Sequence, residues 1–170
     1  MLDDPFKYGL LAALAIALLV AAVTDLRSRS IGNWLNAAIA LVAPLFWWAS
    51  DIPLWADPMV QTSVVTQLGV ALVTFGVLAA LFALGAMGGG DVKLLTALAL
   101  WITPLLFLKL LVVMALLGGV LTIGFGAWHV MRRRRDKLAI PYGVAIAMAG
   151  LWVVGTGYLP SAAASAGGLG

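Results

Sequence analysis

The chain of 170 residues contains no cysteine and no glutamate, and His129 is its only histidine. The absence of cysteine excludes disulfides, thiolate metal sites and a cysteine nucleophile. Charged residues make up only 10% of the chain, whereas soluble domains have about 25%. Hydrophobic residues make up 64%, so we expect an integral membrane protein. The net charge of +3 does not indicate nucleic-acid binding, because the basic residues lie beside apolar segments.

Six apolar segments approach the roughly 20 residues that a helix needs to cross a bilayer. They cover residues 8–24, 34–49, 64–84, 92–103, 110–130 and 138–158. The fourth is the weakest, because it contains Lys93 and meets Pro104, and residues 104–109 are either a tight turn or a kinked continuation of the helix. The predicted fold is all-α and polytopic, with six transmembrane helices in one domain at 1–160 and a low-complexity tail at 161–170.

Basic residues gather at one side of these segments. They are Arg27, Arg29, Lys93, the arginines at 132–135 and Lys137. The positive-inside rule makes this side cytoplasmic and places both chain termini on the other side. Trp48, Trp55 and Trp101 fall near the outer interface, as an aromatic belt would.

Two aspartates share the cytoplasmic side, because Asp25 ends the first segment and Asp91 begins the fourth. Asp51 and Asp57 fall on the opposite side. Ionisable side chains at membrane depth are costly and are functional candidates by default. Two neighbouring carboxylates do not both ionise readily, so such a pair holds an acid and a base together. The pair can activate water to hydrolyse a peptide without a metal, another cofactor or a covalent intermediate.

Glycines precede Asp91 in the run Gly88-Gly89-Gly90. We expect Gly88 and Gly90 to shape the site by adopting positive φ angles and by removing side-chain bulk, so that an extended substrate approaches Asp91. Alternatively, the run is a flexible loop and Asp91 is the N-cap of a helix. The corresponding alternative for Asp25 is an interfacial charge pair with Arg27 and Arg29.

Three polar residues close to the aspartates are candidates for contact with a substrate or with lipid headgroups. They are Arg27, Asn33 and Lys93. Asn33 is also predicted to cap the second helix, because asparagine favours that position. Lys93 stands two residues from Asp91 and points away from it in a helix.

Three motifs together resemble the type IV prepilin peptidases, a family of GxGD membrane aspartyl proteases. They are Gly88-x-Gly90-Asp91-x-Lys93-Leu94, Thr24-Asp25-Leu26-Arg27 followed by Ile31-Gly32-Asn33, and Pro141-Tyr142-Gly143. The motifs occur in the family's order. Gly32 stands where proline is usual in the family, and we expect this glycine to loosen the turn into the second helix.

The resemblance implies an endopeptidase with Asp25 and Asp91 as its catalytic pair. Its substrates would be type IV pilin-like precursors, whose leader peptide it would remove at the cytoplasmic face of the inner membrane. Larger family members carry paired CxxC motifs and also N-methylate the product. This cysteine-free chain is similar to the short, peptidase-only form of Flp/Tad pilus systems. The residues alone leave two alternatives, a proton-coupled transporter subunit and a non-catalytic scaffold of secretion or pilus assembly.

Overall fold

The computed structural model describes residues 5–55, 62–131 and 142–159, and the secondary structure in these ranges is helical. The helices are α1 (Pro5–Ser28), α2 (Asn33–Ala49), α3 (Val64–Ala83), α4 (Gly89–Ala99), α5 (Pro104–Met131) and α6 (Tyr142–Tyr158). This confirms the all-α prediction. The predicted tail, Asp57, the basic residues at 132–137 and Pro141 lie outside the described residues.

Three of the helices, α1, α3 and α5, are long and apolar enough to cross a membrane. The helices α2 and α6 are apolar but have 17 residues each. Helix α4 has 11 residues, which corresponds to about 16 Å at 1.5 Å per residue and is too short to span a bilayer. The chain is therefore a membrane protein by composition and helix length, while the six-span topology and the sides of the termini stay predictions.

The connection after α4 is a tight turn. Helix α4 ends at Ala99, and Pro104 begins α5 in the position where a helix tolerates proline best, because the missing N–H has no intrahelical partner there. The hydroxyl of Tyr158 accepts a hydrogen bond from the Thr103 N–H at 3.0 Å and donates one to the Trp101 carbonyl at 3.1 Å. Residues 104–109 begin the separate helix α5, so they are neither the tight turn nor the kinked continuation predicted for them, and the turn lies just before Pro104.

Helix α4 forms the centre of the bundle and packs against α2, α3, α5 and α6, while α1 packs against α2 and α6. Its leucines Leu94, Leu95 and Leu98 are fully buried. The core extends beyond the end of α4 to Trp101, which is only 2% exposed. The prediction that Trp101 belongs to an outer aromatic belt is wrong. Its indole N–H donates to the Ile39 carbonyl at 2.7 Å, and this hydrogen bond satisfies the polar atom inside the core. Its ring stacks on Phe46.

The packing brings four helix termini to one end of the bundle, namely the C-terminus of α1 and the N-termini of α2, α4 and α6. The contacts that join them are close. A Cβ atom built on Gly90 would lie 3.3 Å from Cβ of Ile31, and one built on Gly143 would lie 2.9 Å from Cδ1 of the same isoleucine. Ile31 lies between α1 and α2, so this single buried side chain contacts the beginnings of both α4 and α6.

Candidate active site

Asp25 lies in the last turn of α1 and is 6% exposed. Its Oδ2 atom is fully buried and makes no hydrogen bond of regular geometry to any residue in the described ranges. The backbone N–H of Arg29 donates to the Asp25 carbonyl at 2.9 Å, so the helical hydrogen-bond pattern extends just beyond the end of α1. Burying a carboxyl group without full hydrogen bonding is costly, which indicates a chemical role beyond packing.

The first turn of α6 faces the Asp25 carboxylate. A Cβ atom on Gly143 would lie 2.8 Å from Oδ2 and 2.9 Å from Cγ of Asp25, so only glycine leaves room for the carboxylate. The backbone N–H groups of Gly143 and Val144 are directed towards it. A helix N-terminus carries partial positive charge, and this charge favours an anion at that position.

Asp91 is the third residue of α4, after the N-cap residue Gly88. This position excludes the alternative in which Asp91 is itself the N-cap. Its carboxylate reaches back towards Gly88, because a Cβ atom on that glycine would lie 2.9 Å from Oδ2 of Asp91. Burial and, to a smaller extent, the charge of Asp25 raise the pKa of Asp91 to about 6, while the N–H of Gly88 opposes the increase.

The two aspartates line a single cavity of about 180 Å³. Its other lining residues come from the segment after α1 and from the glycine run, and they are Arg29, Ser30, Ile31, Asn33, Gly88, Gly89 and Gly90. The cavity is mostly polar and offers space for water beside two carboxyl groups. Such an arrangement can hold one proton between two carboxyls and polarise a water molecule.

The glycines shape this cavity by lacking side chains. The prediction of positive φ angles at Gly88 and Gly90 is wrong, because Gly88 has φ −75° and, of the described glycines, only Gly85 has a positive φ. The structure shows instead that these two positions lack room for a side chain. A side chain at Gly88 would collide with the Asp91 carboxylate, and one at Gly90 would press on Ile31.

Asn33 does not cap α2, contrary to the prediction. Gly32 is the N-cap residue, in extended conformation with φ −60° and ψ 134°, and no side chain caps the helix. The Oδ1 atom of Asn33 instead accepts a hydrogen bond from Nζ of Lys93 at 2.8 Å, which links the beginnings of α2 and α4. Lys93 is exposed, and Arg27 is exposed on α1 and does not line the aspartate cavity.

The positions of several residues around the site were not predicted from the sequence. Arg29 adopts φ 52° immediately after α1, where a left-handed residue commonly ends a helix, and this conformation places Arg29 at the cavity. Ile31 belongs to the motif that follows Asp25, but neither Ile31 nor Asn36 has a local sequence signal for a contact at the site. Gly143 belonged to a recognised motif, and its glycine identity was the available signal for a close approach.

The described ranges contain no group of three or more histidine and aspartate side chains that could hold a metal ion.

Comparison with protein families supplies one finding. The model of the type IV leader peptidase family matches residues 12–123, which is more than half of the chain. The matched region contains both Asp25 and Asp91 and ends inside α5. Neither the curated proteins nor the solved structures gave a match. On the family match, the chain belongs to the type IV leader peptidase family.

Proposed function

We propose that this membrane peptidase is an aspartyl endopeptidase in which Asp25 and Asp91 activate water to cleave one peptide bond. The supporting observation is the single cavity that both carboxyl groups line. Family membership supplies the reaction class, and the cavity supplies two groups that perform acid–base hydrolysis.

The two aspartates have different surroundings, and this difference suggests their roles. Asp25 faces the positive end of α6 and has the guanidinium of Arg29 nearby, and both favour its ionised form against the opposing effect of burial, so we assign Asp25 as the general base. Asp91 has a raised pKa and is the protonated member. Its proton is available to the carbonyl oxygen of the scissile bond, where negative charge develops in the transition state.

The proposed reaction consumes one water molecule. Asp25 takes a proton from water while the water oxygen bonds to the carbonyl carbon, and Asp91 gives its proton to the carbonyl oxygen. In the resulting tetrahedral intermediate, the carbon–nitrogen bond breaks as Asp25 passes its proton to the leaving nitrogen. Asp91 regains a proton from one of the two hydroxyl groups, so both carboxyl groups return to their starting states.

The proposed substrates are type IV pilin-like precursors, whose leader peptide is removed at the cytoplasmic face of the inner membrane. This step rests on family membership and on the positive-inside rule, which assigns the end containing Asp25 and Asp91 to the cytoplasm. The chain lacks cysteine, so we propose peptidase activity without the N-methyltransferase activity of larger members, as in Flp/Tad pilus systems.

The test is cleavage of a co-expressed precursor that carries a short basic leader before one apolar segment. Asp25→Asn and Asp91→Asn should each reduce the cleavage rate at least about 100-fold, because each removes one partner of acid–base catalysis. Asp51→Asn is the matched control, since Asp51 lies in the exposed connection after α2, remote from the cavity. Membrane insertion is checked for all three variants.

Near-normal cleavage by either Asn variant, with Asp51→Asn also active, would remove the two-aspartate mechanism. Proton-coupled flux in precursor-free liposomes, lost in the same variants, would instead support the transporter alternative. If the unmodified protein cleaves no precursor and the Asn variants still support pilus assembly, the scaffold alternative is supported.

A further inference from the structure

A second groove lies beside the aspartate cavity, between α2 and α3 and above α4. Its volume is about 460 Å³, and it shares Asn33 with the aspartate cavity, so the two spaces adjoin. Both α2 and α3 pack against α4, but no extensive contact joins α2 to α3 in the described part of the chain. The groove is therefore open between α2 and α3, on the side where a lipid bilayer would lie.

The α2 wall is formed by Asn33, Asn36, Ala37 and Ala40, which occupy one face of the helix. Asn36 is 4% exposed, and its Nδ2 donates to the Gly90 carbonyl over 3.4 Å. Its Oδ1 is buried and has no hydrogen-bond partner among the described residues. An acceptor is thus left unsatisfied beside the glycine run.

The α4 wall has the same spacing, with Lys93, Thr96, Ala97 and Leu100 on one face. The two walls run in the same direction, because Lys93 contacts Asn33 at one end and the Trp47 indole N–H donates to the Leu100 carbonyl at 2.6 Å at the other. Polar residues consequently stand at the end near the aspartates, and alanines and leucine at the deeper end. Phe75 of α3 adds an apolar side chain.

We propose that this groove binds the apolar membrane segment of the protein substrate, directly beyond the scissile bond. This inference rests on the proposed peptidase function. The small residues Ala37, Ala40 and Ala97 let a helix approach closely, as small residues do at helix contacts in membranes. The opening between α2 and α3 admits such a segment from the bilayer without passing through the bundle.

The polar end of the groove meets a second requirement of cleavage. A helix protects its peptide bonds, so a substrate must unwind next to the bond that is cut. Unwinding frees backbone N–H and C=O groups, which are costly to leave unpaired in apolar surroundings. The free Oδ1 of Asn36 accepts a hydrogen bond from one freed N–H, and the ammonium group of Lys93 donates to a freed carbonyl.

Adjacent alanines on α2 provide a kinetic test. Ala37 lines the proposed groove, whereas Ala38 lines a different space between α1 and α2, with Ala13 and Leu14. Ala37→Leu should raise KM for the precursor about tenfold with little change in kcat or in the pH profile, because it removes binding shared by ground state and transition state. Ala38→Leu should change KM less than about twofold, since exposed substitutions outside a site have small effects. Equal effects of both variants would overturn the proposal.

Cross-linking identifies what occupies the groove. It requires neither catalysis nor the packing of an introduced leucine side chain. The chain has no cysteine, so Ala37→Cys, Ala40→Cys and Ala38→Cys each introduce a single thiol. The probe is the same precursor with one cysteine in its apolar segment, trapped on the Asp91→Asn background. We expect disulfides to form from positions 37 and 40 and not from position 38.

The cross-linking outcomes separate the groove from the mechanism. Cross-links confined to position 38, or absent from positions 37 and 40, overturn the groove. Reaction at position 37 with an acyl-chain-labelled phospholipid, undiminished by precursor, also overturns it and assigns the groove to lipid. Cross-links at 37 and 40 combined with unimpaired cleavage by the Asp variants would leave the groove intact and refute the two-aspartate mechanism.

Discussion

Replacing Gly143 with alanine tests how the first turn of α6 acts on Asp25. The added methyl group would lie 2.8 Å from Oδ2 and 2.9 Å from Cγ of the carboxylate, and 2.9 Å from Cδ1 of Ile31. All these atoms belong to buried residues. The methyl group therefore has no free direction, and either the carboxylate or α6 must shift.

The expected loss is large for activity and moderate for stability. Inserting a methyl group into a well-packed site costs about 1–3 kcal/mol of unfolding free energy. Misplacing a catalytic group by about 1 Å lowers a rate about 100-fold. We expect Gly143→Ala to reduce kcat for precursor cleavage by about this factor, measured beside the thermal unfolding midpoint in detergent.

Two glycines of α6 serve as controls. Gly155→Ala introduces a methyl group with no neighbour within 4 Å and should leave both cleavage and stability essentially unchanged. Gly150→Ala places a methyl group 2.9 Å from Cδ1 of Leu18, so it should lower stability without a matching loss of kcat. Wild-type kcat for Gly143→Ala, or a loss of kcat in Gly150→Ala of the same size, would refute the reasoning.

Two further predictions concern Asp91 and Gly32. Cleavage should decline as the pH rises through about 6, because the raised pKa of Asp91 marks loss of the proton that the proposed mechanism needs. A rate that keeps rising from pH 6 to pH 8 would contradict this role. Gly32→Pro should preserve cleavage and raise the free energy of unfolding by about 0.4–1 kcal/mol, because the φ of −60° already suits proline. An added Cβ atom would meet only the indole of Trp34, which is 70% exposed and can move, and a lower unfolding midpoint would show that Gly32 is needed.

Apolar length and turn-forming residues predicted the helices well. The second helix was predicted at 34–49 and observed as α2 (Asn33–Ala49), and the third was predicted at 64–84 and observed as α3 (Val64–Ala83). The fourth was predicted too long, because hydropathy does not distinguish an apolar turn from a helix. In the structure Leu100–Thr103 leave the helix, and the Tyr158 hydroxyl and Ile39 carbonyl satisfy the polar groups of that turn.

Local rules failed where a distant partner competed for the same group. Asparagine suits an N-cap, but Asn33 turns its amide to Lys93, sixty residues along the chain. Glycine tolerates positive φ, but Gly88 lies in an ordinary extended conformation, and the nearby Asp91 carboxylate explains why it lacks a side chain. Both errors arise because the deciding atoms lie outside the local rule: Nζ of Lys93 is brought to Asn33 by the tertiary fold, and the Asp91 carboxylate reaches Gly88 from the next turn.

The sequence by itself determined the membrane class, the helical fold and the two aspartates that stand out as chemically costly, because these follow from residue type and order along the chain. Only the tertiary structure decided that Asp25 and Asp91 line one cavity, that α6 directs its N-terminus at Asp25, and that a groove lies beside them. These features depend on which helix ends meet. That choice is made by side-chain packing around α4, which no single segment encodes.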